Sequence, residues 1–317
     1  MDKIDPMPIL IDTDPGIDDA MAIFMAFAEP SLNVVGLTSV FGNVDVDKAT
    51  RNALHLCALA GKNIPVARGL AVPRTQPPEP HATFVHGDSG FGDAELPKHK
   101  LQETDEHAVD MIIRLSHEYS GTLVLVPIGP LTNIAAALDK DPSLIERVAR
   151  VVIMGGAVDV RGNVNEFAEA NIWNDPHAAD VVFAADWDVL IVGLNVTEQL
   201  LITPADMEKI ALASPHLGRW LAKANDFYFD FHAEWYQKRA CFIHDPSAIL
   251  ALVHPEYFDI TAAAISVALT GKEKGRTALS PDGHQVRYCH GVDIGRALNH
   301  ILRACETLDK QINETKP

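Results

Sequence analysis

Ten residues, Ile11-Asp12-Thr13-Asp14-Pro15-Gly16-Ile17-Asp18-Asp19-Ala20, constrain this 317-residue chain more than any others. The apolar run from Pro8 to Ile11 reads as a short buried strand, and Pro15-Gly16 breaks it. A helical pattern opens at Asp18-Asp19 and continues through Ala20, Ile23, Phe24 and Phe27. Four carboxylates therefore crowd one strand-to-helix turn. Asp12 and Asp14 sit two apart and share a face of an extended strand. Asp18 and Asp19 occupy the first helical turn, where the helix dipole favours negative charge. That dipole is too weak to offset the repulsion among four acids at close range, so some carboxyls stay protonated or a multivalent cation sits among them. Single acids at such turns ordinarily cap a helix or face solvent. Four acids crowded directly behind a buried strand favour the cation.

The same grammar repeats along the chain. Leu32 to Val40 is a β-rich run ending at Phe41-Gly42-Asn43, and a helical pattern follows from Val46 to Ala60, stopped by Gly61. Leu123 to Ile128 closes at Gly129-Pro130, Val151 to Met154 at Gly155-Gly156, and Val189 to Val192 at Gly193. These runs are continuously apolar, as parallel strands covered by helices on both faces are. The fold expected is a single α/β domain over 1–317, Rossmann-like, with a mostly parallel central sheet. Ligands in such sheets bind beyond the carboxyl ends of the strands, where Asp14, Asn43, Ile128, Met154 and Asn195 fall in five separate runs. Two long segments, 72–98 (rich in Pro, Gly and His) and 157–171 (carrying Asn163, Asn165, Glu166, Glu169 and Asn171), read as binding loops over that end.

A net charge of −17, from 26 Lys and Arg against 43 Asp and Glu, argues against nucleic acid or an anionic membrane as the main partner. It suits an enzyme handling a neutral or metal-bridged small molecule. Cys57, Cys241, Cys289 and Cys305 are scattered with no C-x-x-C pair, as free buried thiols in a reducing compartment are. No stretch reads as a signal peptide or a membrane span, and a cytoplasmic location is the expectation.

His244-Asp245-Pro246 places an imidazole and a carboxylate before the helical pattern Ser247 to Leu252. Asp245 as N-cap with Pro246 at the first helical position explains it structurally, and a capping aspartate can also ligate a metal. Phe227 to Tyr236 is dense in aromatic residues that could stack on a ring. Phe227, Phe231 and Trp235 also recur at helical spacing, a pattern more often found in core packing.

Taken together, Asp12-Thr13-Asp14-Pro15-Gly16-Ile17-Asp18-Asp19-Ala20 resembles the fingerprint of the inosine-uridine-preferring nucleoside hydrolases. The likeness continues in the family's order through Gly42-Asn43, His86-Gly87, Gly129 to Ala135, Val152 to Gly156, Gly162-Asn163, Glu169-Ala170-Asn171-Ile172 and His244-Asp245-Pro246. Leu269-Thr270-Gly271 to Thr277 resembles the family's C-terminal strand region. The aspartate motif is specific, whereas the glycine motifs would be weak alone. The loop near Ala157 to Gly162 reads one residue longer than in some relatives, and Ala170 stands where an aromatic residue is common.

The resemblance implies the nucleoside hydrolase fold and a Ca²⁺ ion held by Asp14, Asp19, Asp245 and the backbone carbonyl of Ile128. Ca²⁺ accepts 6–8 oxygen ligands of mixed kind. The resemblance gives Asp18, Asn43 and Asn171 to the ribose hydroxyls. Asn163, Glu169 and Met154 take the 5′ side, and His86 is a further substrate contact. Asp14 would accept the proton of a calcium-activated water, and His244 would assist the leaving base. Asp12 would orient Asp14 or the turn. The implied reaction is hydrolysis of the N-glycosidic bond of ribonucleosides to base and ribose, a step of purine or pyrimidine salvage. The assembly implied is a homodimer or homotetramer. One rival is a Mg²⁺-dependent haloacid-dehalogenase-like phosphotransferase, with Asp12 and Asp14 as its D-x-D pair. That reading leaves Asp18-Asp19, Glu169-Ala170-Asn171 and His244-Asp245 without a role. A non-catalytic nucleoside- or calcium-binding relative is the other alternative, though Asp14, Asp19 and Asp245 are all present.

Overall fold

Neighbouring residues of the first strand part company: Ile9 and Ile11 enter one buried apolar layer, Leu10 the other. That is the physical content of a continuously apolar run, since successive side chains point to opposite faces and here both are covered. The computed structural model describes residues 5–314. Its strands are β1 (Met7–Thr13), β2 (Leu32–Ser39), β3 (Val66–Arg68), β4 (Leu123–Pro127), β5 (Val148–Met154), β6 (Val189–Val192), β7 (Leu201–Ile202), β8 (Cys241–Phe242), β9 (Phe258–Val267), β10 (Thr277–Leu279) and β11 (His284–Val292).

Nine of them form one sheet in the order β10-β9-β11-β6-β5-β4-β1-β2-β3. From β3 to β6 every pairing is parallel, as expected for one mostly parallel α/β domain. Helices Ile17–Ala28, Leu217–Tyr236, Asp245–Val253 and Ile294–Glu314 bury residues in the layer holding Ile9 and Ile11. Helices Ala108–Glu118, Thr132–Lys140 and Pro176–Ala184 bury theirs in the layer holding Leu10. β1 pairs with β2 on one side and β4 on the other. The connection reverses direction across it, and the carboxyl end of β1 lies at the switch point where such sheets open a crevice.

Three local expectations shift. The first helix begins at Ile17, ahead of Asp18-Asp19, with Gly16 as its N-cap. Asp245 is the first residue of its helix and His244 the cap, which leaves Pro246 in the first turn, where its missing N–H costs no helical hydrogen bond. The stretch from Leu269 to Arg276 is the turn joining β9 to β10, and strand structure resumes only at Thr277. The sheet ends in an antiparallel trio, β10-β9-β11, that joins the parallel part through the short parallel pairing of β11 with β6. Among the described residues no helix is long and apolar enough to cross a membrane.

Candidate active site

The turn after β1 holds its acids by hydrogen bonds from its own backbone and neighbours. The Thr13 hydroxyl donates to Asp19 Oδ1 at 2.5 Å, and the Gly16 N–H to Asp19 Oδ2 at 2.8 Å, which closes the N-terminus of helix Ile17–Ala28. Asn43, just past β2, donates its backbone N–H to Asp14 Oδ2 at 2.7 Å and its Nδ2 to Asp19 Oδ2 at 3.1 Å. Two glycines let the backbone close on Asp14. A Cβ at Gly42 would stand 1.9 Å from Asp14 Oδ2, and one at Gly129 would stand 2.6 Å from Oδ1. No larger residue could occupy either position without displacing that carboxylate.

Asp18, Asp19 and Asp245 can each bring a carboxylate oxygen within 4.8 Å of the other two. Asp245 arrives from the start of helix Asp245–Val253, and Asp19 and Asp245 share a carboxyl–carboxyl hydrogen bond. The expectation paired Asp14 rather than Asp18 with Asp19 and Asp245. Asp14 adjoins the trio, for its charge acts on Asp245 and is itself acted on by Asp19 and Asp18. Burial, then the charge of Asp19, holds Asp14 well above the usual carboxylate range; the Asn43 N–H pulls the other way. Burial and Asp19 push Asp18 up to about 8. Burial, with Asp18, Asp19 and Asp14 behind it, raises Asp245 well above normal. Burial raises Asp19 too, against the hydrogen bonds from Thr13 and Gly16.

No Lys or Arg pairs with any of the four among the described residues, and Asp14 Oδ1 and Asp18 Oδ1 are buried without a hydrogen-bond partner. Buried oxygens of that kind normally have one. The donor set is oxygen only, with no thiol, so these residues fit a hard divalent cation.

Asp12 stands apart. It lies within β1, on the face of Leu10, where Thr38 and Asn133 donate to its Oδ1 at 2.6 and 2.8 Å. Burial pushes it up to about 7. β1 ends at Thr13, so Asp14 lies beyond the extended strand on which the two acids would share a face.

The floor continues across the strand ends. Asn171 Nδ2 lies 3.0 Å from both the Ile128 and the Met154 carbonyl oxygens, tying the ends of β4 and β5 together. A carbonyl has two lone pairs, so Ile128 O keeps one for a second partner. Glu169 caps helix Ala170–Asn174, its carboxylate accepting from the N–H groups of Gly156, Asn171 and Ile172. Asn163 Oδ1 accepts from the Ala170 N–H. Asp18, Asn43, Ile128, Met154, Asn163, Glu169, Asn171, His86, His244 and Asp245 all line one cavity of about 510 Å³. Asn195 does not line it. It clamps the loop after β5 by bonding both the N–H and the carbonyl of Val158.

The opposite wall is aromatic. Tyr228, Phe231, His232, Trp235 and Tyr236 of helix Leu217–Tyr236 line it, facing Phe84 and His86 of the short helix Thr83–His86. Phe231 and Trp235, whose spacing suggested core packing, face the cavity, and Trp235 is 66% exposed at its mouth. The helical spacing was real but its members divide: Phe227 packs against the core as expected and does not line the cavity, whereas Phe231 and Trp235 belong to its wall. His86 is buried, not at the surface, and Ile17 N–H donates to its Nδ1 at 3.2 Å. His244 Nδ1 lies 2.8 Å from the Thr197 hydroxyl. Burial pushes both imidazoles down to about 3, so both are neutral near pH 7. Tyr228, His232, Arg161 and Glu198 also line the cavity, although no motif marks them. The spacing of Tyr228, Phe231, His232 and Trp235 was the one available signal for the wall.

Residues 9–299 match the family model described as inosine-uridine preferring nucleoside hydrolase. The chain is 42% identical over 277 residues to a probable uridine nucleosidase 2 of Arabidopsis thaliana, covering 87% of this chain and 86% of that protein. A plant nucleoside hydrolase structure, the PpNRh1 enzyme, superposes with a TM-score of 0.92 at 38% identity, over 95% of this chain and 99% of the other. The purine-preferring ribonucleoside hydrolase from Gardnerella vaginalis does so with a TM-score of 0.91 at 35% identity, over 96% and 99%. The acid-lined turn, the strand-end carbonyls and the match across the fold lead to one assignment: the chain belongs to the inosine-uridine preferring nucleoside hydrolase family and is a nucleoside hydrolase.

Proposed function

We propose that the protein hydrolyses the N-glycosidic bond of ribonucleosides to free base and ribose in a Ca²⁺-dependent reaction, with Asp14 as general base. The observation that carries this reading is the set of four buried acids, two of them with an unpartnered oxygen, and no balancing side-chain cation among the described residues. Asp14, Asp19, Asp245 and the Ile128 carbonyl would hold the ion, and bound Ca²⁺ would supply the positive charge that acidifies and orients a water and engages the sugar hydroxyls.

The chain's own groups do the rest. Asp14 is held at Oδ2 by the Asn43 N–H, which leaves Oδ1 to take the proton of the attacking water. The water attacks C1′ as the bond to the base breaks through an oxocarbenium-like transition state. The surrounding carboxylates favour the positive charge that develops on the sugar. Asp18, Asn43 and Asn171 would bind the ribose hydroxyls, and Asn163, Glu169 and Met154 the 5′ side. Glu169 enters with its carboxylate already anchored by three backbone N–H groups. His244 and His86 are neutral imidazoles, so each would assist the departing base as an N–H donor rather than as an imidazolium.

The test is release of ribose from inosine, adenosine, uridine and cytidine, with added Ca²⁺ and after chelation. Release that chelation abolishes and Ca²⁺ restores is the expected result. No release from any of the four by folded, Ca²⁺-supplemented protein would overturn the reading.

A further inference from the structure

An imidazole presents a defined polarity to a pocket only when its other nitrogen is tied down, and in His232 it is. His232 Nδ1 lies 3.0 Å from the carbonyl oxygen of Tyr228, one turn earlier in helix Leu217–Tyr236. A carbonyl only accepts, so the proton of the neutral ring sits on Nδ1 and Nε2 is a bare acceptor. Burial disfavours the charged form of the ring, against the pull of the Tyr228 carbonyl. Around it stand the rings of Tyr228, Tyr236, Phe231 and Phe242, with centroids 4.4, 5.2, 5.3 and 5.4 Å away. No described residue bonds Nε2, and the imidazole lines the cavity.

His86 has the opposite polarity. The Ile17 N–H donates to its Nδ1, so its single proton sits on Nε2, also with no bond to a described residue. The aromatic wall therefore offers the cavity one backbone-fixed donor and one backbone-fixed acceptor. A phenol or a hydroxyl in place of His232 could turn its proton toward a ligand, whereas this Nε2 can only receive one.

We propose that His232 is a specificity-determining residue of the base pocket, its Nε2 accepting a hydrogen bond from an N–H on the edge of the base. The site then takes nucleosides whose base carries such an N–H and discriminates against those in which a methyl group replaces the hydrogen. This rests on the nucleoside hydrolase reading, because it assumes that the base occupies the aromatic end while the ribose lies at the acids.

The experiment compares kcat/KM for ribose release from uridine and 3-methyluridine, and from inosine and 1-methylinosine. It uses the unaltered protein, His232→Phe and His232→Gln. A buried acceptor left unpaired predicts a preference of roughly 10- to 100-fold for the N–H nucleosides in the unaltered protein. In His232→Phe the preference should collapse toward unity through slower turnover of the N–H substrates. In His232→Gln, whose amide oxygen can accept, it should partly return. A merely structural role would lower all four values together and leave the ratios unchanged.

Equal kcat/KM on methylated and unmethylated substrates in the unaltered protein overturns the proposal without any variant. A preference that survives in folded His232→Phe overturns it too, because crowding alone would then reject the methyl group. Should His232→Phe not fold, the ratio in His232→Gln and competition by uracil against 3-methyluracil in the unaltered protein decide the matter. Equal competition by the two free bases counts against the proposal. Absence of ribose from every nucleoside would instead sink the functional reading, and the inference with it.

Discussion

The two ends of the cavity are built on different principles. At the acid end, backbone groups hold Asp14 through the Asn43 N–H, Glu169 through three N–H groups, and Asn171 across two strand-end carbonyls. At the aromatic end only the imidazoles of His86 and His232 are tied to backbone, and the remaining rings lean on one another. Phe231 stands 5.8 Å from Phe84 and 6.0 Å from Trp235, and Phe84 and Trp235 are 62% and 66% exposed. Substitution at the acid end strands a buried charge or an unpaired polar group, which costs much. A change at the rim trades one half-solvated ring contact for another. The acid end is thus held by buried polar bonds, whereas the aromatic rim rests on part-exposed ring contacts.

The largest effect that would break this contrast is at Asp14. Asp14→Asn keeps the shape of the side chain but cannot accept a proton. Turnover should fall by roughly 10³- to 10⁴-fold with the far-ultraviolet circular dichroism spectrum unchanged. A variant that kept a tenth of its activity would remove Asp14 from the base role.

Next is the sugar. If Asn43, Asn171 and the acids read the ribose hydroxyls, 2′-deoxyuridine leaves buried partners unpaired, and kcat/KM should drop by about 10³-fold or more against uridine. Comparable values would mean that recognition lies at the aromatic end after all.

The acid end also dictates a pH dependence. Burial raises Asp14 and Asp245 above their unfolded values and Asp18 to about 8. A carboxyl with a raised folded value contributes stability that is full below its unfolded value near 4 and is lost as pH rises through its folded one. Protein stripped of divalent cations should therefore lose several degrees of Tm between pH 4 and 8. Ca²⁺ should restore most of that loss at the upper end, because metal binding needs the deprotonated ligands. Calorimetry with and without chelator reads this directly, and a metal-free Tm that climbed over that interval would contradict the cluster's assigned state.

The smallest effect expected is at the rim. Trp235→Ala removes an exposed ring, so stability should move by no more than about 0.5 kcal/mol. KM should rise a few-fold with kcat nearly constant, the sign of a contact made equally in ground and transition states. A collapse of kcat would place Trp235 within the rigid machinery and erase the contrast.

How much of this was legible in the residues follows the same line. Asp14, Asn43, Ile128 and Met154 fall at the ends of apolar runs that end in Gly or Asn, so a parallel sheet with a common site could be anticipated from pattern alone. Asn195 fell at such an end as well, yet its amide is spent on Val158, and only the paths of the neighbouring loops reveal that. Along Phe227, Phe231 and Trp235 the helical spacing was legible, but not that only the last two face a cavity, because a 3.6-residue period cannot tell a core from a pocket wall. The antiparallel β9 to β11 edge carried a weaker signature: its strands are only partly buried, and the one apolar run in β9 is three small alanines and Ile265 between Thr261 and Ser266.

By itself the sequence determined the parallel α/β frame and the concentration of acid at its first turn, because strand burial and charge repulsion are local consequences of residue type and spacing. Only the tertiary structure decided that Asp18 stands with Asp19 and Asp245, that Gly42 and Gly129 close on Asp14, and which nitrogens of His86 and His232 are tied to backbone. Each of these depends on distances between segments that are remote in the chain, or on a hydrogen bond whose partner is a backbone atom, and residue identity encodes neither.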